Sequence, residues 1–105
     1  MNLIEQIKTS ISAKKYRLTF HAEVEREVDK IFISEIEEAF SSDSCMIIED
    51  YPDDKRGHSS LVLGFTKEGL PIHMVCALHE DILVIITLYR PASELWVDWQ
   101  IRKEK

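Results

Sequence analysis

Ile72-His73-Met74-Val75-Cys76-Ala77-Leu78, the break His79-Glu80-Asp81, and then Ile82-Leu83-Val84-Ile85-Ile86-Thr87-Leu88-Tyr89 decide the fold of this chain. Both runs are of strand length, rich in β-branched residues and separated by three polar positions, so they read as an antiparallel hairpin and not as helix. Alternation sorts the first run into His73, Val75 and Ala77 on one face and Ile72, Met74, Cys76 and Leu78 on the other. In the second run Thr87 and Tyr89 oppose Ile86 and Leu88. Upstream, Cys45–Tyr51 and Ser60–Thr66 repeat the pattern, joined by the loop Pro52–Gly57 and the glycine turn Lys67-Glu68-Gly69. Four strands in an antiparallel meander follow.

Ahead of the strands the period changes to that of a helix. Leu3, Ile4, Ile7 and Ile11 mark one face of a helix over Asn2–Ala13, with Glu5, Lys8 and Ser12 outside. After a basic link, Lys14-Lys15-Tyr16-Arg17, Thr19 caps a second helix that ends near Asp29. Ser34-Glu35-Ile36-Glu37 reads as a capping box for a third helix running to about Ser42. The expectation is an α+β domain with N-terminal helices packed on one face of a four-stranded antiparallel sheet, the other face free for a site. Pro91 ends the last strand, and Ala92–Lys105, with Trp96 and Trp99, forms a short C-terminal docked segment whose tryptophans also suit a partner anchor.

At 105 residues the chain holds a single domain, 1–105. Three Gly and three Pro, beside 45% hydrophobic residues, exclude a low-complexity chain. The net charge of −6 argues against a broad nucleic-acid-coating surface but permits a small basic site. No window holds the roughly 18 apolar residues of a membrane span, and the N-terminus lacks a signal-peptide pattern, so no membrane association and a cytoplasmic location are expected. Cys45 and Cys76 lie in apolar runs and read as buried thiols.

Two constellations carry candidate chemistry. Hairpin pairing brings His73 toward Thr87, Tyr89 and Arg90; the bland reading is a half-buried strand histidine with satisfied hydrogen bonds. His21 and Arg26 form the second. A histidine in the first turn meets the positive end of the helix dipole, which favours an imidazole able to accept a proton, while Arg26 has a plain use in pairing with Glu23 or Asp29. His73, Cys76 and His79 are spaced by three, which on a strand alternates faces, so no metal is expected. The glycines are too dispersed for a nucleotide-binding loop, and no cofactor is expected.

Thr19-Phe20-His21-Ala22 with Arg26, Ile48-Glu49-Asp50-Tyr51-Pro52-Asp53-Asp54 with Arg56-Gly57-His58-Ser59, Pro71-Ile72-His73-Met74-Val75, and Ile85-Ile86-Thr87-Leu88-Tyr89-Arg90-Pro91 with Trp96 together resemble a bacterial domain-of-unknown-function family, number 4258, over residues 16–103. That family resembles the RelE/BrnT-like ribonuclease toxins of type II toxin–antitoxin pairs. The resemblance implies a RelE-like fold, RNA or the ribosome as target, and a zinc-finger or helix-turn-helix antitoxin as partner. It implies metal-independent RNA cleavage by general acid–base catalysis, with His73 and His21 as base and acid, Tyr89 as orienter, and Arg90 and Arg26 on the phosphate. Lys15, Arg17 and Arg102, with Lys14, Lys103 and Lys105, would supply a local basic surface. The alternative is a non-catalytic protein-interaction module of the same fold. The catalytic reading requires these side chains to converge beside the uncovered sheet face.

Overall fold

The computed structural model describes residues 1–104. Asn2 caps α1 (Leu3–Ser12), its Oδ1 accepting the Glu5 amide at 2.9 Å. Thr19 opens α2 (Phe20–Val28): its hydroxyl accepts the Ala22 amide at 3.1 Å and donates to the Ile86 carbonyl at 2.7 Å, so one side chain starts the helix and ties it to the sheet. In α3 (Ile33–Ser41) the expected Ser34–Glu37 box is displaced. The helix begins earlier, Glu35 accepts the Phe32 amide at 3.0 Å, and Glu37 instead takes Lys14 at 2.8 Å and the Tyr16 hydroxyl at 2.5 Å.

The strands are β1 (Tyr16–Leu18), β2 (Met46–Tyr51), β3 (Ser59–Phe65), β4 (Pro71–His79) and β5 (Ile82–Tyr89), followed by the small hairpin β6 (Trp96–Val97) and β7 (Ile101–Arg102). The run β2 to β5 forms the antiparallel meander read from the periodicity. The expected four-stranded antiparallel sheet is nevertheless corrected: the sheet has five strands in the order β1-β5-β4-β3-β2, and β1 runs parallel to β5. The stretch expected as a basic link is that added strand. Three residues are too few to display alternation, and β1 is held by β5, through Leu83 N–H to Lys15 O and Thr19 N–H to Ile85 O, each 3.0 Å. Tyr16 and Leu18 consequently pack on the core while Arg17, level with Val84, takes the opposite face.

A bulge re-phases β5. Val75 pairs Thr87 and Cys76 pairs Ile85, so Ile86 is the extra residue. Ile86 therefore joins Val84 and Ala77 on the outer face, while Leu88 returns to the core. The helices cover the inner face: Ile7, Ile11, Ala22, Ile36, Ala39 and Phe40 pack on Val62, Ile72, Met74, Cys76, Leu83, Ile85 and Leu88. At Gly64 a Cβ would stand 2.2 Å from the Ala39 carbonyl oxygen, so α3 lies on β3 at a distance only glycine permits. Burial pushes the thiols of Cys45 and Cys76 up to about 11 and about 12.

The C-terminal segment docks as a hairpin and not as a helix. Asp98 and Trp99 turn it with φ of 51° and 63°, closed by Gln100 N–H to Val97 O at 2.9 Å. Trp96 is buried and Trp99 is half-buried. Among the described residues, no helix is long and apolar enough to cross a membrane.

Candidate functional site

Strand β4 carries His73, Val75, Ala77 and His79 along the outer face, and the hairpin covers only the His73 end. Six residues of strand put roughly 20 Å between the two histidines.

The His79 end is open. Arg17 from β1, Thr19 and His21 from the start of α2, Arg56 from the β2–β3 loop and His79 surround a pocket of about 340 Å³ whose apolar floor is Val84 and Ile86. Each wall has a local cause. Arg17 points outward because its neighbours Tyr16 and Leu18 take the core. His21 follows the Thr19 cap, which the Ile86 carbonyl anchors. Gly57, at φ 102°, brings the loop against the His79 ring, with 3.7 Å between its Cβ position and that ring.

His21 has a carboxylate neighbour. Its Nε2 lies 3.3 Å from Glu25 Oε1 one turn along the helix. Glu25 is itself fixed by the Thr87 hydroxyl and by the Leu88 amide at 3.3 Å. A carboxylate anchored to the sheet thus stands at ion-pair distance from one imidazole nitrogen of His21. Arg17 makes no side-chain hydrogen bond or ion pair among the described residues, whereas Arg56 forks onto Asp54 at 3.0 and 3.1 Å while remaining 61% exposed. That fork holds the Asp54 carboxyl well below the usual range. Two imidazoles and two guanidinium groups over an aliphatic floor can exchange protons and hold an anion.

The His73 end is sealed. His73 has no solvent exposure, with Nδ1 3.0 Å from the Tyr89 hydroxyl and Nε2 2.7 Å from the Trp99 carbonyl oxygen. Nε2 therefore carries the proton and Tyr89 donates to Nδ1. Trp96 stands edge-on to the ring at 4.4 Å. Burial lowers the His73 pKa, against the opposing influence of the Trp99 carbonyl and Glu49, and burial raises that of Tyr89. Arg102 stacks 4.8 Å from the Trp96 ring centroid and forks onto Glu49 at 2.8 and 3.0 Å, which lowers the Glu49 pKa.

The residues singled out from sequence therefore divide. His73 and Tyr89 meet, as the hairpin pairing implied, but in the satisfied, buried form. His21 and Arg17 share the open pocket. Arg90 is occupied elsewhere: its guanidinium binds the Asp29 and Lys30 carbonyls at 3.1 and 2.9 Å and Glu35 at 3.0 Å, clipping the turn between α2 and α3. Arg26 pairs with Glu23 at 2.5 Å and with the Ile31 carbonyl at 3.2 Å. Lys14 binds Glu37 and Lys15 binds Asp81. Arg102 reaches β2, the strand edge opposite Arg17 on β1, about 19 Å away across four strand spacings. The two basic stretches do not merge, and Lys105 lies outside the described residues. Ser60 and His58 both bind Asp50 Oδ1, at 2.7 Å each.

His79 and Arg56 were missing from the sequence-derived site. His79 was legible: extending the alternation from His73 through Val75 and Ala77 puts it on the same face. Arg56 was not, because a loop fold placed it.

The family model described as "Domain of unknown function (DUF4258)" matches residues 18–90. No curated protein and no solved structure matches the chain.

Proposed function

Since this chain belongs to the DUF4258 family, whose description assigns no activity, we propose that its open sheet face binds RNA and cleaves it without a metal ion. The observation that carries this reading is the pocket joining Arg17, His21, Arg56 and His79 over Val84 and Ile86, with Glu25 beside His21. Arg17 binds the phosphodiester, a cation with no competing partner among the described residues. His21, beside Glu25, takes the proton of the ribose 2′-hydroxyl as its oxygen attacks phosphorus. His79, protonated, gives a proton to the departing 5′-oxygen. One P–O bond forms and one breaks, leaving a 2′,3′-cyclic phosphate and a free 5′-hydroxyl. The aliphatic floor receives the sugar or base, and Arg56 helps neutralise the crowded phosphate. This assignment moves the second histidine from His73 to His79, because His73 is sealed and both its nitrogens are engaged. The resemblance to type II toxins supplies the setting, a bacterial growth inhibitor restrained by an antitoxin.

The test uses the purified chain with end-labelled single-stranded RNA and with translating ribosomes, at low salt and in excess chelator. Cleavage yielding cyclic phosphate ends, and abolished by His21→Ala, supports the proposal. Intact RNA in both settings, or cleavage unchanged by His21→Ala and His79→Ala, rejects it. Induced expression should arrest bacterial growth for the unmodified chain and not for His21→Ala.

A further inference from the structure

Helix α2 contributes a single buried residue, Ala22, to the core. Its remaining apolar side chains face solvent: Phe20 is 85% exposed, Val24 43% and Val28 74%, and Phe32, just past the helix, is 68% exposed. Spacing of four residues aligns Phe20, Val24 and Val28 in one row. The row offers on the order of a few hundred Å² of apolar surface, the size at which an exposed patch marks an interaction site.

Beside the row, Val24, Val28, Leu88 and Tyr89 wall a groove of about 130 Å³ that also holds Glu25 and Asp29. Neither carboxylate pairs with a lysine or arginine side chain among the described residues: Glu25 meets His21, and Asp29 accepts the Arg90 backbone amide at 2.8 Å. Aliphatic walls ending in two carboxylates match a lysine or arginine, its methylene stem along the valines and its cation at the acids. Over residues 20–30 the helix carries Glu23, Glu25, Glu27 and Asp29 against Arg26 and Lys30. A second copy laid on this row by a two-fold axis would bring acidic flanks together, which disfavours self-association. A basic surface is the complement.

We propose that the Phe20–Val24–Val28 row with the groove between α2 and β5 docks a basic amphipathic helix of another protein, its apolar face on the row and one lysine or arginine in the groove. The inference does not depend on RNA cleavage. Because α2 also bears His21, the docked helix lies beside the open pocket.

Panning a displayed library of helical peptides against the full chain tests it. Enriched sequences should be amphipathic and rich in lysine or arginine. Their affinity should fall with salt, and at least about tenfold with Phe20→Ser and again with Asp29→Asn, which keeps an acceptor for Arg90 but removes the charge. Circular dichroism of both variants confirms that they fold. No enrichment, enrichment of acidic or uncharged peptides, or binding unchanged by Phe20→Ser overturns the proposal. So does a dimer in sedimentation that Val28→Glu dissociates, since that assigns the row to a second copy.

Discussion

His73 and His79 stand on one face of one strand in opposite circumstances. His73 lies under Trp96, with Tyr89 and the Trp99 carbonyl on its two nitrogens; His79 is exposed beside Arg17, Arg56 and His21. The strand supplies both in the same way, so the difference comes from what lies above. A hairpin of two-residue strands, pinned by Arg102 to Glu49, converts one histidine into a structural member. Among the described residues no such cover lies over the other end, which leaves an imidazole beside Arg17 and Arg56.

The sharpest way to break this contrast is through activity. His21→Ala and His79→Ala should each lower RNA cleavage by roughly 100–10,000-fold while leaving the unfolding midpoint in urea nearly unchanged, because both side chains are exposed. If His73→Gln, checked to be folded, were equally inactive and His79→Ala fully active, the roles assigned to the two ends would be reversed.

Next in size is stability. His73→Ala removes a buried ring and strands the Tyr89 hydroxyl and the Trp99 carbonyl, so it should cost about 2–4 kcal/mol in urea unfolding. The same truncation at His79 should fall within about 0.5 kcal/mol.

Acid sharpens the comparison further. Burial depresses the folded-state pKa of His73 below its ordinary 6.5. Between that value and the folded one the unfolded chain binds the extra proton, so stability declines as pH falls from about 6.5 toward the folded pKa and is regained on raising it. Urea midpoints at stepped pH should show this slope, and His73→Gln should flatten it.

A small effect also belongs to the outer pin of the hairpin. Arg102 and Glu49 form a forked pair with the arginine 62% exposed, so Arg102→Ala should cost under about 1 kcal/mol. Its signature is faster amide exchange over residues 96–102 with β2 to β5 unaffected. A loss several times larger would show the hairpin to be integral to the sheet.

Four of the five sheet strands were legible because each is long enough to show period-two alternation, and the hairpin His79–Asp81 fixed their antiparallel sense. Strand β1 was not legible: three residues among lysines have no periodicity, and their pairing with Leu83, Val84 and Ile85 crosses most of the chain. The bulge at Ile86 escaped for a related reason, since alternation counted along the sequence keeps its phase unless a partner strand reveals the extra residue. Among the chemical groups, the His73–Tyr89 contact follows from local pairing, whereas the joining of Arg17, His21, Arg56 and His79 depends on which side chains are pulled into the core around them.

The amino-acid order by itself determined the three helices, the meander, the two buried cysteines and which residues have the chemistry to move protons or bind phosphate, because these follow from local periodicity and side-chain character. Only the tertiary structure decided that the sheet is mixed, that the C-terminal hairpin seals one histidine, and that a different one faces the arginines. Cover and convergence arise from pairings between distant segments, and no local pattern encodes the free-energy balance among them.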